Sequence, residues 1–90
     1  MQQITIDCAE INDRAEFHRI FAARLHLPEW YGANLDALSD CLTSITKTTT
    51  ITLLNVQALI NNLGGYGRAA INMMEQAERE NSDRLTLNML

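Results

Sequence analysis

Nowhere along these 90 residues does an apolar run approach the ~20 that a membrane-spanning helix needs. The opening segment, Met-Gln-Gln-Ile-Thr-Ile-Asp, has neither the basic start nor the apolar core of a signal peptide, so the expected location is cytoplasmic. Positive charge is scarce: seven lysines and arginines stand against eleven acids, for a net charge of -4 and a pI near 4.9. The seven are scattered, whereas binding of a phosphate backbone draws on clustered cations; this argues against nucleic acid as a direct partner and favours a basic protein. Cys8 and Cys41 are the only two cysteines and lack any Cys-x-x-Cys spacing. In a reducing compartment they are expected to be unpaired, partly buried thiols. No internal repeat, low-complexity tract or linker interrupts the chain, so a single domain over residues 1–90 with at most one site is expected. A chain this short buries roughly two-thirds of its unfolded surface on folding, enough for one core. A hydrophobic content of 47% argues against disorder.

What the chain does have is concentrated between Leu27 and Ile45. Pro28 and Gly32 bound a short loop that holds Trp30, the sole tryptophan, and Tyr31, one of two tyrosines. Asn34 stands where a helix N-cap belongs, its side chain able to accept from a first-turn amide. A helix is expected from there to about Ile45, with Leu35, Leu38, Leu42 and Ile45 on one apolar stripe and Asp36, Asp40 and Thr43 opposite. Two carboxylates one turn apart then face water. Like charges at that spacing cost a helix roughly 0.2–0.5 kcal/mol; the helix dipole favours Asp36 in the first turn more than Asp40, and no cation shares the face. An ordinary solvated helix face is the plain explanation. An acidic, aromatic-flanked surface aimed at a basic partner is the functional one.

Elsewhere the periodicities predict scaffold. Ile4 and Ile6 alternate with polar residues in a strand over about 2–7; Asp13 and Glu16 resemble a capping box opening a helix over about 13–26 with His18 off the centre of its apolar stripe. A lone histidine there is expected to be a partly buried packing residue. Thr48 to Leu54 reads as a buried strand, Val56 to Leu63 as a short helix ended by Gly64-Gly65-Tyr66-Gly67, Arg68 to about Glu80 as a helix on Ala70, Met73, Met74 and Ala77, and Leu85 to Met89 as a closing strand. Strands separated by helices imply an α/β fold with a parallel sheet.

A catalytic or metal constellation is hard to assemble. His18 and His26 are eight residues apart, and His26 falls at or past a helix end, so no metal-binding spacing forms. Asp36 and Asp40 could serve as general acid and base, but such pairs sit in clefts that shift their pKa values, and a convex helix face supplies none. The glycine cluster matches no phosphate-binding pattern.

The segments Leu27-Pro-Glu-Trp-Tyr-Gly32 and Asn34-Leu-Asp-Ala-Leu-Ser-Asp-Cys-Leu-Thr43 closely resemble the signature of the barstar family, intracellular inhibitors of the secreted ribonuclease barnase. The resemblance is looser over the rest of the chain but spans it in element order and spacing. It implies a small three-stranded parallel sheet with about four helices packed on it, no enzymatic activity and no cofactor or metal. It also implies a monomer when free and a 1:1 complex with a basic ribonuclease. Carried to this sequence, Asp40 would stand in for the substrate phosphate, Asp36 would pair with a second cation, and Trp30 would stack on a catalytic histidine. Tyr31, Gly32, Asn34, Ala37 and Thr43 would complete the contact, with Gln76 and Glu80 at the rim. The chain also departs from the family's best-known member, having Ser39 and Ile45 in place of tryptophans, Lys47 in place of an acid and Gln76 in place of a glutamate. The two central aspartates are kept while the rim is altered, which leaves the cognate enzyme open. Two other readings stand beside this one: a non-inhibitory α/β module binding another basic protein through the same face, and a hydrolase using Asp36 and Asp40. RNA cleavage by the pure protein would separate the last from the others.

Overall fold

The computed structural model describes all residues, 1–90. The chain runs β1 (Gln2–Asp7), a 3-10 turn (Cys8–Glu10), α1 (Arg14–Leu25), α2 (Leu35–Thr43), β2 (Thr49–Leu54), α3 (Gln57–Leu63), α4 (Gly65–Glu80) and β3 (Leu85–Met89). The three strands pair in parallel in the order β1-β2-β3. Strand order that follows sequence order, with the usual right-handed crossovers, puts all four helices on the same face of the sheet. The burial pattern agrees. Ile4 and Ile6 of β1 are buried while Gln3 and Thr5 are exposed, and Leu85 of β3 is buried while Thr86 and Asn88 are exposed. The other face is open, and the register lines it with Gln3, Thr50 and Thr86 in one row and Thr5, Thr52 and Asn88 in the next. These polar residues, four of them β-branched threonines, let a parallel sheet, ordinarily covered on both faces, present one face to water.

Fifteen buried apolar residues form one core between sheet and helices, with Phe17 and Phe21 from α1, Leu38 and Leu42 from α2, Leu59 from α3 and Ala70, Met74 and Ala77 from α4. The first two helices are started by side-chain caps, while α3 and α4 have none. The Asp13 side chain accepts from Glu16 N–H while Glu16 Oε1 accepts from Asn12 N–H, and Asn34 Oδ1 accepts from Ala37 N–H at 2.8 Å. His26 closes α1 in the left-handed conformation (φ 55), its N–H donating to Ala22 O.

Two boundaries differ from the sequence expectation. First, α4 begins at Gly65, not Arg68: only Gly64 breaks the chain, at φ 60 and ψ -131, and the glycines after it form the first turn of the next helix. Gly67 is required by tertiary packing, since a Cβ there would lie 2.1 Å from the carbonyl oxygen of Leu59 on α3. Second, α2 stops at Thr43, two residues before Ile45. Asn81, just past α4, reaches across and donates to Leu42 O at 3.0 Å and Ile45 O at 3.2 Å, tying the end of α2 to that of α4.

Candidate partner-binding site

Helix α2 and the loop before it carry most of the sequence-predicted site residues. Asp36 and Asp40 are both exposed, and neither carboxylate takes part in an ion pair or a side-chain hydrogen bond; the one ion pair in the structure is Arg19–Glu16, at 3.5 Å on α1. Trp30 is 83% exposed, the most exposed large apolar side chain apart from the terminal Met1. Leaving an indole in water forgoes roughly 2 kcal/mol or more of burial energy, so an unpartnered tryptophan beside two unpartnered acids is costly decoration for an inert face.

Trp30, Tyr31, Gly32, Ala37 and Asp40 line one shallow groove with Leu27, Ile45 and Lys47. The remaining predicted residues lie outside that groove. Asn34 is occupied as the α2 cap, and its amide also donates to Gly32 O at 3.2 Å. Asp36 is on the first turn of α2. Ser39 is half-buried, and its carbonyl accepts the Thr43 hydroxyl at 2.9 Å, so the Thr43 donor is already used on the backbone. Gln76 and Glu80 are exposed on α4, which packs against α2, and Gln76 Oε1 accepts from Arg79 Nη2 at 2.9 Å. Glu78, between them on α4, turns to the sheet: its carboxylate accepts from Leu87 N–H at 2.7 Å, capping an amide on the exposed edge of β3.

Two features were missed by reading the sequence. Lys47 follows α2 and lines the groove that Asp40 lines, so the groove has both signs of charge. His18, expected to be a partly buried packing residue, is buried at 4% exposure and is also hydrogen-bonded through both ring nitrogens. Its Nδ1 is 2.5 Å from the Tyr31 hydroxyl and its Nε2 2.5 Å from the Tyr66 hydroxyl. The ring also packs edge-on against Phe17, at 5.0 Å between centroids. Burial lowers the pKa of His18. The loop itself is held in a narrow conformation, with Ala33 at φ 51, a left-handed backbone that costs a non-glycine residue about 1 kcal/mol.

Catalytic chemistry finds little to work with. Both His18 nitrogens are taken by tyrosines, and His26 is an exposed helix cap. Burial, with Asp7 adding to it, pushes the Cys8 thiol up to about 11. Burial, with Asp40 beside it, also raises Cys41, so neither is a ready thiolate near pH 7. No group of three or more His, Cys, Asp or Glu side chains is gathered to hold a metal ion. No helix is long and apolar enough to cross a membrane.

Comparison with known proteins places the chain. Residues 1–89 match the family described as "Barstar (barnase inhibitor)". Over 88 residues the sequence is 31% identical to a protein of Bacillus subtilis (strain 168) named "Putative ribonuclease inhibitor YrdF", the match covering 97% of both chains.

Proposed function

Because the chain belongs to the barstar family, we propose that it is a ribonuclease inhibitor, binding a basic ribonuclease through α2 and the preceding loop and occluding its active site. One observation carries the finer reading: Asp36 and Asp40, without intramolecular partners, project beside an exposed Trp30. A ribonuclease active site is a cationic pocket built to hold phosphate. A carboxylate presented on a rigid helix can accept charge-assisted hydrogen bonds from the same cations. In this mechanism Asp40 enters the pocket as the phosphate mimic, Asp36 pairs with a neighbouring cation, and Trp30 stacks on the enzyme's catalytic histidine. Tyr31, Gly32, Asn34, Ala37, Ser39 and Thr43 complete the contact, while Gln76 and Glu80 flank it from α4. The net charge of -4 steers a basic partner toward the inhibitor before contact, an effect best known from the barnase–barstar pair itself.

The mechanism needs neither metal nor turnover. Its test is a titration of RNA cleavage by a basic ribonuclease, with barnase as the first probe and other secreted-type ribonucleases after it. Activity should fall linearly to zero at a 1:1 ratio for the cognate enzyme, and the protein alone should cleave nothing. Cleavage by the pure protein that is lost in Asp40→Ala would favour a hydrolase, and binding to a basic protein without loss of its activity would favour the interaction module.

A further inference from the structure

The recognition loop is thinly tied. Among residues 28–33, the Tyr31 hydroxyl makes the one hydrogen bond that reaches beyond the stretch 27–37, and its partner is Nδ1 of His18. His18 in turn reaches, through Nε2, the hydroxyl of Tyr66 in the first turn of α4. The imidazole is thus a buried bridge joining α1, the loop and α4. Nothing in the proposed contact with a ribonuclease uses it.

We infer that His18 is a positioning residue for recognition: its neutral ring holds Tyr31, and with it Trp30, in the binding conformation, and its protonation releases the loop. The inference rests on the inhibitor reading above. A neutral imidazole has one bare nitrogen and one N–H, so one tyrosine donates its hydroxyl proton to the ring while the other accepts from it. An imidazolium donates from both nitrogens. The tyrosine that had been donating must turn its O–H away and accept instead, and a positive charge arrives on a ring only 4% exposed to water. The charged and titratable groups around the ring are Arg14 and Arg19 of α1, Glu29 of the loop, Tyr31 and Tyr66; the Arg14 guanidinium lies 4.4 Å from the centroid of the Tyr66 ring. Glu29 is the one acid among them, and Arg19 is already paired with Glu16 at 3.5 Å. Tyr31 cannot compensate by ionising, since burial, with Cys41 and Tyr66 adding to it, pushes its phenol up to about 12. Charging His18 therefore leaves a cation in a buried bridge, and opening the loop is what lets water reach it.

Trp30, the only tryptophan, sits next to Tyr31 and reports the loop directly. The test follows its acrylamide quenching and anisotropy decay in the free protein from pH 8 to pH 5, for wild type, Tyr31→Phe and Tyr66→Phe, with the His18 ring followed by NMR. At pH 8, Tyr31→Phe should raise the loop-open population roughly two- to tenfold, the equivalent of one hydrogen bond, with far-UV circular dichroism unchanged. Wild type should reach the same state in acid at the midpoint of the His18 titration, Tyr31→Phe should show no further step, and Tyr66→Phe, which alters no loop residue, should move that midpoint. Tyr31→Phe indistinguishable from wild type, an acid step that persists in it, or an unmoved midpoint in Tyr66→Phe overturns the inference. The fluorescence needs no ribonuclease, so a failure of inhibition leaves it legible, and a failure of the fluorescence test leaves the inhibition assay standing.

Discussion

Gly65 and Gly67 sit two residues apart in the first turn of α4, yet replacing each by alanine should move stability in opposite directions. Neither has the positive φ that favours glycine, so alanine should gain in both from a stiffer unfolded chain and better helix propensity, by about 0.5–1 kcal/mol. At Gly65 nothing lies within 4 Å of the added Cβ, and that gain should be realised. At Gly67 the Cβ would stand 2.1 Å from Leu59 O, 2.5 Å from Leu59 C and 3.0 Å from Ile60 N. All three are backbone atoms of α3, so no side chain can swing aside. The whole seven-residue helix must back away by nearly an ångström, and Leu59, fully buried, goes with it. Overpacking of that kind costs about 1–3 kcal/mol, and lifting Leu59 adds to it, so Gly67→Ala should be destabilised by a net ~2 kcal/mol. For a domain of this size that is a fall in Tm of roughly 8–16 °C, against a rise of a few degrees for Gly65→Ala. Calorimetry or circular-dichroism melts of the two variants decide it. A Gly67→Ala protein as stable as wild type would show that α3 and α4 do not meet backbone to backbone as described.

The other predictions concern the site and its supports. Asn34→Ala removes the α2 cap and should cost ~1 kcal/mol in urea denaturation, with the Ala37 amide that it bonds losing hydrogen-exchange protection. Because the folded pKa of His18 is lowered while the unfolded chain keeps a value near 6.5, its neutral bridge stabilises fully above about pH 6.5 and is progressively lost as pH falls through the folded pKa. The urea midpoint should therefore drop from pH 7.5 toward pH 5, more steeply in wild type than in a His18→Gln variant, which has no imidazole to titrate. Glu80→Ala should chiefly slow association with the ribonuclease and flatten its dependence on salt, since a peripheral charge steers the encounter more than it holds the complex. A stopped-flow comparison at two ionic strengths checks this, and a change confined to dissociation would contradict it.

Much of the fold was legible because local and global signals agree. The β-branched alternation of β1 and β2, the Asp13 and Asn34 caps and the apolar stripe of α2 all specify what they become. The start of α4 was not legible because three glycines within four residues read locally as a breaker. Their place in a helix follows from the close approach of α3, which appears in no short window. The bridge at His18 escaped for the same reason: its partners are 13 and 48 residues away, and a lone histidine on a helix carries no sign of either. The tie from Glu78 to the β3 edge amide of Leu87, nine residues on, likewise leaves no mark in the local sequence. Asp36, Asp40 and Trp30 could be picked out beforehand because each breaks a local preference, two like charges one turn apart and an indole in a turn, with no compensating neighbour in the sequence.

The central claim is that Asp40 substitutes for a phosphate, and the dissociation rate of Asp40→Ala from the inhibited ribonuclease tests it most directly. Truncating one partner of a buried, hydrogen-bonded charge pair costs roughly 2–5 kcal/mol, a magnitude taken from charged interfaces of which barnase–barstar is itself the model case and not from this structure. Dissociation should therefore quicken by about 30-fold to several thousandfold, while the free variant melts level with wild type or slightly above it, since alanine removes a like-charged neighbour of Asp36 and favours the helix. A complex of Asp40→Ala that dissociates as slowly as wild type would contradict the claim and leave a general acidic surface as the better account.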